Sequence, residues 1–433
     1  MSPLMFSKKP NEGLLARVNF PLFTVQMLTS RHVLVAGGGG SAKTGVANGF
    51  EVFELHHNGQ QFSAEECLRH ITGGSVVMNC STLCTSRNTY LVAGQESHCQ
   101  LYTVNFRVVS GENSFEREDT IRKRKKRNSD SASGFKEHNS SKDIPLDSGK
   151  VLELAIEPLK SVQTGDGESL QRVVRISHIG NLMATGGTDG YLRLWTFPDM
   201  NSLHNIPAHS KEIDDLDFSS DEKLIASVAK DGRAVVWNVS TGKKAKELQW
   251  VFPNGTKYLC KRCRFGVVED KKEIIRLFIL TNPVGKGPSF IQQWDALSGE
   301  LTKSAGLSES GSALAVRNDG RFVAVGTMFS GSVHIFVAFS LQQVLLVRHV
   351  HDMFVTGLEF LPVQQDSSSS VSPVEAAVLS ISVDNKVCIH SLPFRSKLFY
   401  KVLIVLKIYC YGQSLMTAFL FKIFFLNFDL LTG

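Results

Sequence analysis

Two short segments of this chain repeat one another at a fixed interval. Ala184-Thr-Gly-Gly-Thr-Asp-Gly-Tyr-Leu-Arg-Leu-Trp195 and Ala226-Ser-Val-Ala-Lys-Asp-Gly-Arg-Ala-Val-Val-Trp237 each run from small residues through Asp-Gly to an alternating stretch that ends in tryptophan. The tryptophans are 42 positions apart, and Asp189 precedes Trp195 by the same six residues that separate Asp231 from Trp237. Asp-Gly makes a tight turn between antiparallel strands. The alternation gives the second strand two chemically different faces. A single unit of this kind cannot bury its own apolar face. A period of roughly 40–45 residues marks a four-stranded blade that stacks on its neighbours.

With this template, weaker copies become visible. Val33–Gly38 with Asn48–Phe53 forms a first unit with a widened turn, and Ala93–Tyr102 a second, with Tyr102 in the tryptophan place. Phe290–Trp294, Ala324–Phe336 and Leu379–His390 complete the set. Seven units predict an all-β, seven-bladed propeller spanning residues 13–395. A closed ring removes exposed sheet edges, because its last blade seals on its first. Asp189, Trp195, His209, Asp231 and Trp237 are expected to be structural. His209, Ser227, Asp231 and Trp237 are placed to form a hydrogen-bonded set inside one blade.

Composition narrows the class. With 42% hydrophobic and 20% charged residues, the chain is neither globally disordered, nor a collagen-like fibre, nor a multi-span membrane protein. A net charge of +6 does not by itself imply a nucleic-acid partner. The eight cysteines show no framework spacing, and Met1–Pro10 lacks the apolar core of a secretory signal, as expected for a reducing compartment. Cys260-Lys-Arg-Cys263 lacks the second ligand pair of a zinc site. No nucleophile–base spacing stands out from the blade pattern, so neither covalent catalysis nor a small-molecule substrate is expected.

Two regions break the repeat. Residues 107–150 read as a polar, disordered insert carrying Arg122-Lys-Arg-Lys-Lys-Arg127. This basic run fits a solvated loop, a nuclear-import signal or a nucleic-acid patch. Residues 398–431 form a hydrophobic tail, long enough to cross a bilayer but interrupted by Lys401, Lys407 and Lys422. A central lysine costs about 2.5–3.5 kcal/mol on insertion. The two readings of the tail are a single membrane anchor and a buried closing segment. Arg395 and Lys397 on its near flank would keep the ring in the cytosol.

The most unusual stretch is Ala36-Gly-Gly-Gly-Gly-Ser-Ala-Lys-Thr-Gly-Val-Ala-Asn-Gly49. Four successive glycines imply unusual backbone freedom or close approach of another group. A nucleotide-binding P-loop fails here, since Ala42 stands where a glycine must precede the lysine and Asn48-Gly49 leads into a strand. What remains is an elongated loop offering carbonyls and a few polar side chains to a partner or ion, or merely a long turn.

The glycine-rich loop, Ala93-Gly-Gln-Glu-Ser-His-Cys-Gln-Leu101, Ala184–Tyr191, Cys263-Arg-Phe-Gly266 and Val337-Ala-Phe-Ser-Leu341 together resemble the prolactin regulatory element-binding family. These are animal WD-repeat exchange factors for the Sar-type small GTPase. The resemblance covers about 13–395. It implies a cytosol-facing propeller anchored in the endoplasmic reticulum membrane, which releases GDP from the GTPase to start COPII vesicle coat assembly and ER-to-Golgi transport. It also implies that the loop at 36–49 is associated with potassium and reaches toward the bound nucleotide. By position, Gly37, Gly38, Gly39, Gly40, Lys43, Thr44 and Asn48 are the candidate exchange residues. The family's tail is an uninterrupted apolar helix, and this chain departs from it near Lys397. The alternatives are a nuclear regulator binding a promoter element through 122–127, and a passive interaction scaffold.

Overall fold

The computed structural model describes residues 4–6, 13–40, 45–110, 140–141, 144–146, 150–250, 255–268, 271–363 and 374–394. Their strands form seven sheets of four or five strands, arranged as seven blades, each with four consecutive antiparallel strands or their equivalent at its heart. Blade 3 shows the plan: Gln171–Ile176, Leu182–Gly187, Tyr191–Thr196 and Ser202–Pro207 pair in sequence order from the inside outward. Its turn is local chemistry. The Asp189 carboxylate accepts the Tyr191 N–H at 3.1 Å, and Gly190 takes the left-handed conformation (φ 77°) that its missing Cβ allows. Asp231 and Gly232 repeat the device in blade 4, with Arg233 N–H as donor at 3.0 Å.

The blades bury their apolar faces against one another. Leu192 and Leu194 of blade 3 share one core with Ile213, Phe218, Val235 and Trp237 of blade 4. Val25 and Val33 of blade 1 share another with Leu379, Ile381 and Val387 of blade 7, which closes the circle. The seal is a strand exchange between the chain's two ends. Leu14–Arg17 forms the outer strand of blade 7, with Leu14 opposite Cys388 and Arg17 opposite Lys386. Leu4–Phe6 runs parallel to Gln342–Val347 at the edge of blade 6.

The innermost strands line a central cavity of about 320 Å³. Charged side chains fill its wall at blades 3, 4, 5 and 7. Arg264 lies 2.5 Å from Asp215, and Arg175 reaches both Asp215 (3.4 Å) and Asp217 (3.8 Å). Burial raises the pKa of Asp217 despite Arg264 and Arg175; for Asp215 the same arginines overcome burial and lower it. Glu359 is pushed to about 7, chiefly by burial.

The insert starts later than the composition implies. Blade 2 is extended by His98–Ser110 and Lys150–Gln163, whose backbones pair from His98–Gln163 out to Ser110–Lys150. Val108, Val109, Val151 and Leu152 are good strand formers at the ends of a segment that the polar average disguises. Short strands at Ser140–Ser141 and Ile144–Leu146 edge blades 1 and 2. The basic run 122–127 and the tail 398–431 lie outside the described residues. Among the described residues, no helix is long and apolar enough to cross a membrane.

Candidate functional site

The glycine-rich loop leaves blade 1 between its second strand, His32–Gly37, and its third, Gly49–His57. Gly37 still lies in the ladder, opposite Gly49. Both are glycine for want of space: a Cβ on Gly37 would lie 1.9 Å from the Pro21 carbonyl oxygen, and one on Gly49 2.1 Å from that of His70. Gly38 then turns into the left-handed region (φ 143°) and donates its N–H to the Pro21 carbonyl at 3.1 Å.

Asn48 locks the root. Its side-chain oxygen accepts the Gly40 N–H at 2.9 Å, while its amide donates to the carbonyls of Gly40 (3.1 Å) and Gly73 (3.0 Å). Its own carbonyl accepts the Thr72 N–H at 2.9 Å. Asn48 is buried, so these bonds replace water rather than compete with it. The loop is therefore fastened at Gly37–Gly40 and at Asn48–Gly49. Its tip, with Lys43 and Thr44, lies outside the described residues. Beyond Gly40, a Cβ at Gly45 would meet only open space.

A notch of about 170 Å³ lies beside the root, lined by Asn19, Phe20, Gly45, Asn48, Glu51 and Arg69 among others. Glu51 and Arg69 form a 2.9 Å ion pair on its wall. Burial pushes the Glu51 carboxyl up to about 7 against the pull of Arg69. Composition and spacing gave no signal for this pair, because a lone glutamate in a strand looks like any solvent-facing residue. Potassium requires hard oxygen donors. The root offers the carbonyls of Gly40 and Gly73, each with a second lone pair after Asn48 has used one, so the donor type fits.

The structural residues fall into two groups. In blade 4, His209 meets Asp231 through Nδ1 (3.1 Å) and Ser227 through Nε2 (2.8 Å), and the Trp237 indole N–H donates to Ser227 at 2.9 Å. Burial holds His209 below its ordinary pKa, although Asp231 pulls the other way. In blade 3 the Trp195 indole donates to Thr185 at 3.1 Å, while Asp189 pairs with Arg193 at 2.6 Å. Blade 7 holds a second full column that the tryptophan template misses. His351 meets Asp384 (3.1 Å) and Ser380 (2.8 Å), and Ser380 meets His390 at 2.8 Å. Ser-to-Asp is four residues and Asp-to-aromatic six in both blades, so the spacing was present with His390 in the tryptophan place.

Turns between second and third strands, and connections between blades, emerge on the same face of an antiparallel ring. The glycine loop shares its face with Phe329 of blade 6 and with Met353 and Phe354, which join blades 6 and 7. All three are exposed. The Phe329 turn closes against this connection, with the Val350 and His351 N–H groups donating to the Gly331 carbonyl at 3.2 Å. Cys263 is fully buried and its thiol is pushed well up by burial; with Cys260 it packs into the apolar core between blades 4 and 5.

Comparison with known proteins adds relatives. The WD domain, G-beta repeat model matches residues 160–196 and 200–238, the two strongest repeats. The mouse protein named guanine nucleotide-exchange factor SEC12 is 33% identical over 431 residues, covering 96% of this chain and 98% of its own length. The rat protein of the same name is 33% identical over 430 residues with the same coverage. SEC12-like protein 2 of Arabidopsis thaliana is 30% identical over 199 residues, 45% of this chain and 46% of its own. Likeness at this level over nearly the whole length of both chains means that this chain belongs to the SEC12 guanine nucleotide-exchange factor family.

Proposed function

We propose that this chain promotes GDP release from a Sar-type small GTPase at the endoplasmic reticulum membrane, and so starts COPII coat assembly. The observation that carries the reading is the glycine loop with both feet fixed: Asn48 ties Gly40 to Gly73 at the end of a blade. No covalent chemistry is required. A GTPase holds its nucleotide through phosphate contacts and magnesium that order its switch segments. A partner that binds the open, empty form more tightly shifts the population toward it, by no more than that difference in affinity.

The parts divide the work. Phe329, Met353 and Phe354 supply an apolar contact on the loop's own face. Gly37–Gly40 and Asn48 aim the loop, and Lys43 and Thr44 carry its polar groups toward the phosphates. A potassium ion on the root carbonyls would stiffen the approach. Residues 398–431 would tether the ring to the membrane, where a GTPase with an amphipathic helix inserts after exchange.

Release of a fluorescent GDP from a Sar-type GTPase, with the full chain in liposomes, tests the proposal. The expected result is faster release, reduced at least about tenfold by Lys43→Ala, a loss near 1.4 kcal/mol of transition-state stabilisation. Neutralising 122–127 should leave the rate unchanged. A release rate indifferent to the chain leaves only the scaffold, and a sequence-specific DNA shift lost on neutralising 122–127 would favour the promoter-binding reading.

A further inference from the structure

At the far end of blade 1 from the glycine loop, three buried side chains converge. His32 opens the second strand and stands directly opposite Glu54 on the third. Cys67 lies on the fourth strand, where the register slips: Val52 faces Leu68 and Phe53 faces Glu66, leaving Cys67 as the extra residue of a bulge. A bulge re-aims the side chain it carries. One ligand-type atom from each of the three residues lies within 4.8 Å of the other two. His32 and Glu54 are each 5% exposed, and Cys67 is 1% exposed.

The imidazole is the telling group. Its Nδ1 is held by the Thr29 hydroxyl at 2.8 Å, and Phe106 lies against the ring at 5.3 Å between centroids. Its Nε2 is buried and meets no protein hydrogen-bond partner. A buried polar atom left unpaired is expensive, and an oriented imidazole with one nitrogen anchored and the other free is the posture of a metal ligand. We propose that His32, Glu54 and Cys67 form a zinc site in the first blade.

The charges support a divalent ion. An imidazole binds a metal as the neutral ring, so His32 contributes none. A Glu54 carboxylate and a Cys67 thiolate together balance a charge of two. A cysteine thiol carries its proton at neutral pH and gives it up when a cation takes its place. Binding therefore breaks the S–H bond, forms the sulfur–zinc bond and releases that proton to solvent. Imidazole, carboxylate and thiolate together are a donor set typical of zinc. With bonds of about 2.0–2.3 Å, ligand atoms around a tetrahedral zinc ion are about 3.3–3.6 Å apart, so no pair of the three need close by more than about 1.5 Å. Arg31 and His56 lie 3.3 and 3.9 Å from the Glu54 carboxylate at the outer side of the cluster and are the neighbours an ion would displace from it.

This site stands apart from the exchange loop. His32 and Gly37 bound the same strand, about 16 Å apart at the rise of an extended chain, so the proposal does not depend on the exchange reading. The test uses the full chain stripped with EDTA and titrated with zinc or cobalt. One ion per chain is expected, with release of one proton, a thiolate-to-cobalt charge-transfer band and a higher melting temperature with zinc. Cys67→Ser should abolish the band and the thermal shift. Glu54→Gln should weaken binding about 10–100-fold while keeping the band. Cys84→Ser, at an exposed cysteine of blade 2, should change nothing. A band that survives Cys67→Ser in a folded chain overturns the proposal. So does a native chain that takes up no more metal than Glu54→Gln, should Cys67→Ser fail to fold.

Discussion

Asn48 illustrates how much one buried amide can hold. Three side-chain hydrogen bonds join two turns that share no sequence, at 40 and 73. Asn48→Ala should cost about 2–4 kcal/mol, since buried partners left unmade cost more than the bonds contributed. Urea unfolding should show a lower midpoint with an unchanged slope, and GDP release should fall as the loop loses its direction. An unaltered midpoint would mean that the root is held by its glycines alone. The identity of this position was legible from the motif, but its manner of action was not. A sequence places Asn48 in a loop and cannot show that its partners are the Gly40 and Gly73 carbonyls. Glu51 and Arg69 were hidden for the same reason: their pairing is set by strand register, which a one-residue bulge between Val52 and Phe53 alters.

At the scale of the element, the repeat was readable because each blade's chemistry is local. Asp-Gly turns and closing aromatics sit within a dozen residues of one another, so their spacing survives in the sequence. Blade 7 was legible as a weaker copy because it departs from the template at two places: His390 stands for the tryptophan, and Asn385 takes the left-handed turn position (φ 65°) that glycine fills in blades 3 and 4. The near end of the insert was misjudged because average polarity over 107–150 concealed two strand-forming residues, Val108 and Val109, at its start. The outermost strand of blade 7 is the least local element of all. Deleting residues 1–18 removes Leu14–Arg17 and bares the Lys386–Pro393 edge. The expected outcome is a lower melting temperature together with self-association in sedimentation, as bare edges recruit new strands. A monomeric, equally stable truncation would show that apolar contacts between blades suffice for closure.

For the whole molecule, acid and base press from opposite sides. Burial lowers the pKa of His32, His209 and His334 from 6.5. Their stabilising share is complete above pH 6.5 and is lost as pH falls from there. Glu51 and Glu359 are raised from 4.5 to about 7, so their share is complete below pH 4.5 and is lost as pH rises through about 7. Glu359→Gln removes one of these losses. Its stability relative to the native chain should therefore improve between pH 5 and pH 8 by on the order of 2–3 kcal/mol, measured by urea unfolding at the two values. Equal pH dependence in both proteins would mean that Glu359 ionises freely in the channel. The strand exchange that closes the ring has a temporal consequence too. Leu14 is synthesised 374 residues before Cys388 and must wait for it before it finds its ladder. Until then every completed sheet has an unfinished neighbour, so the toroid commits late and as a unit. Folding is correspondingly slow, and the nascent amino terminus depends on being kept from other strands in the meantime.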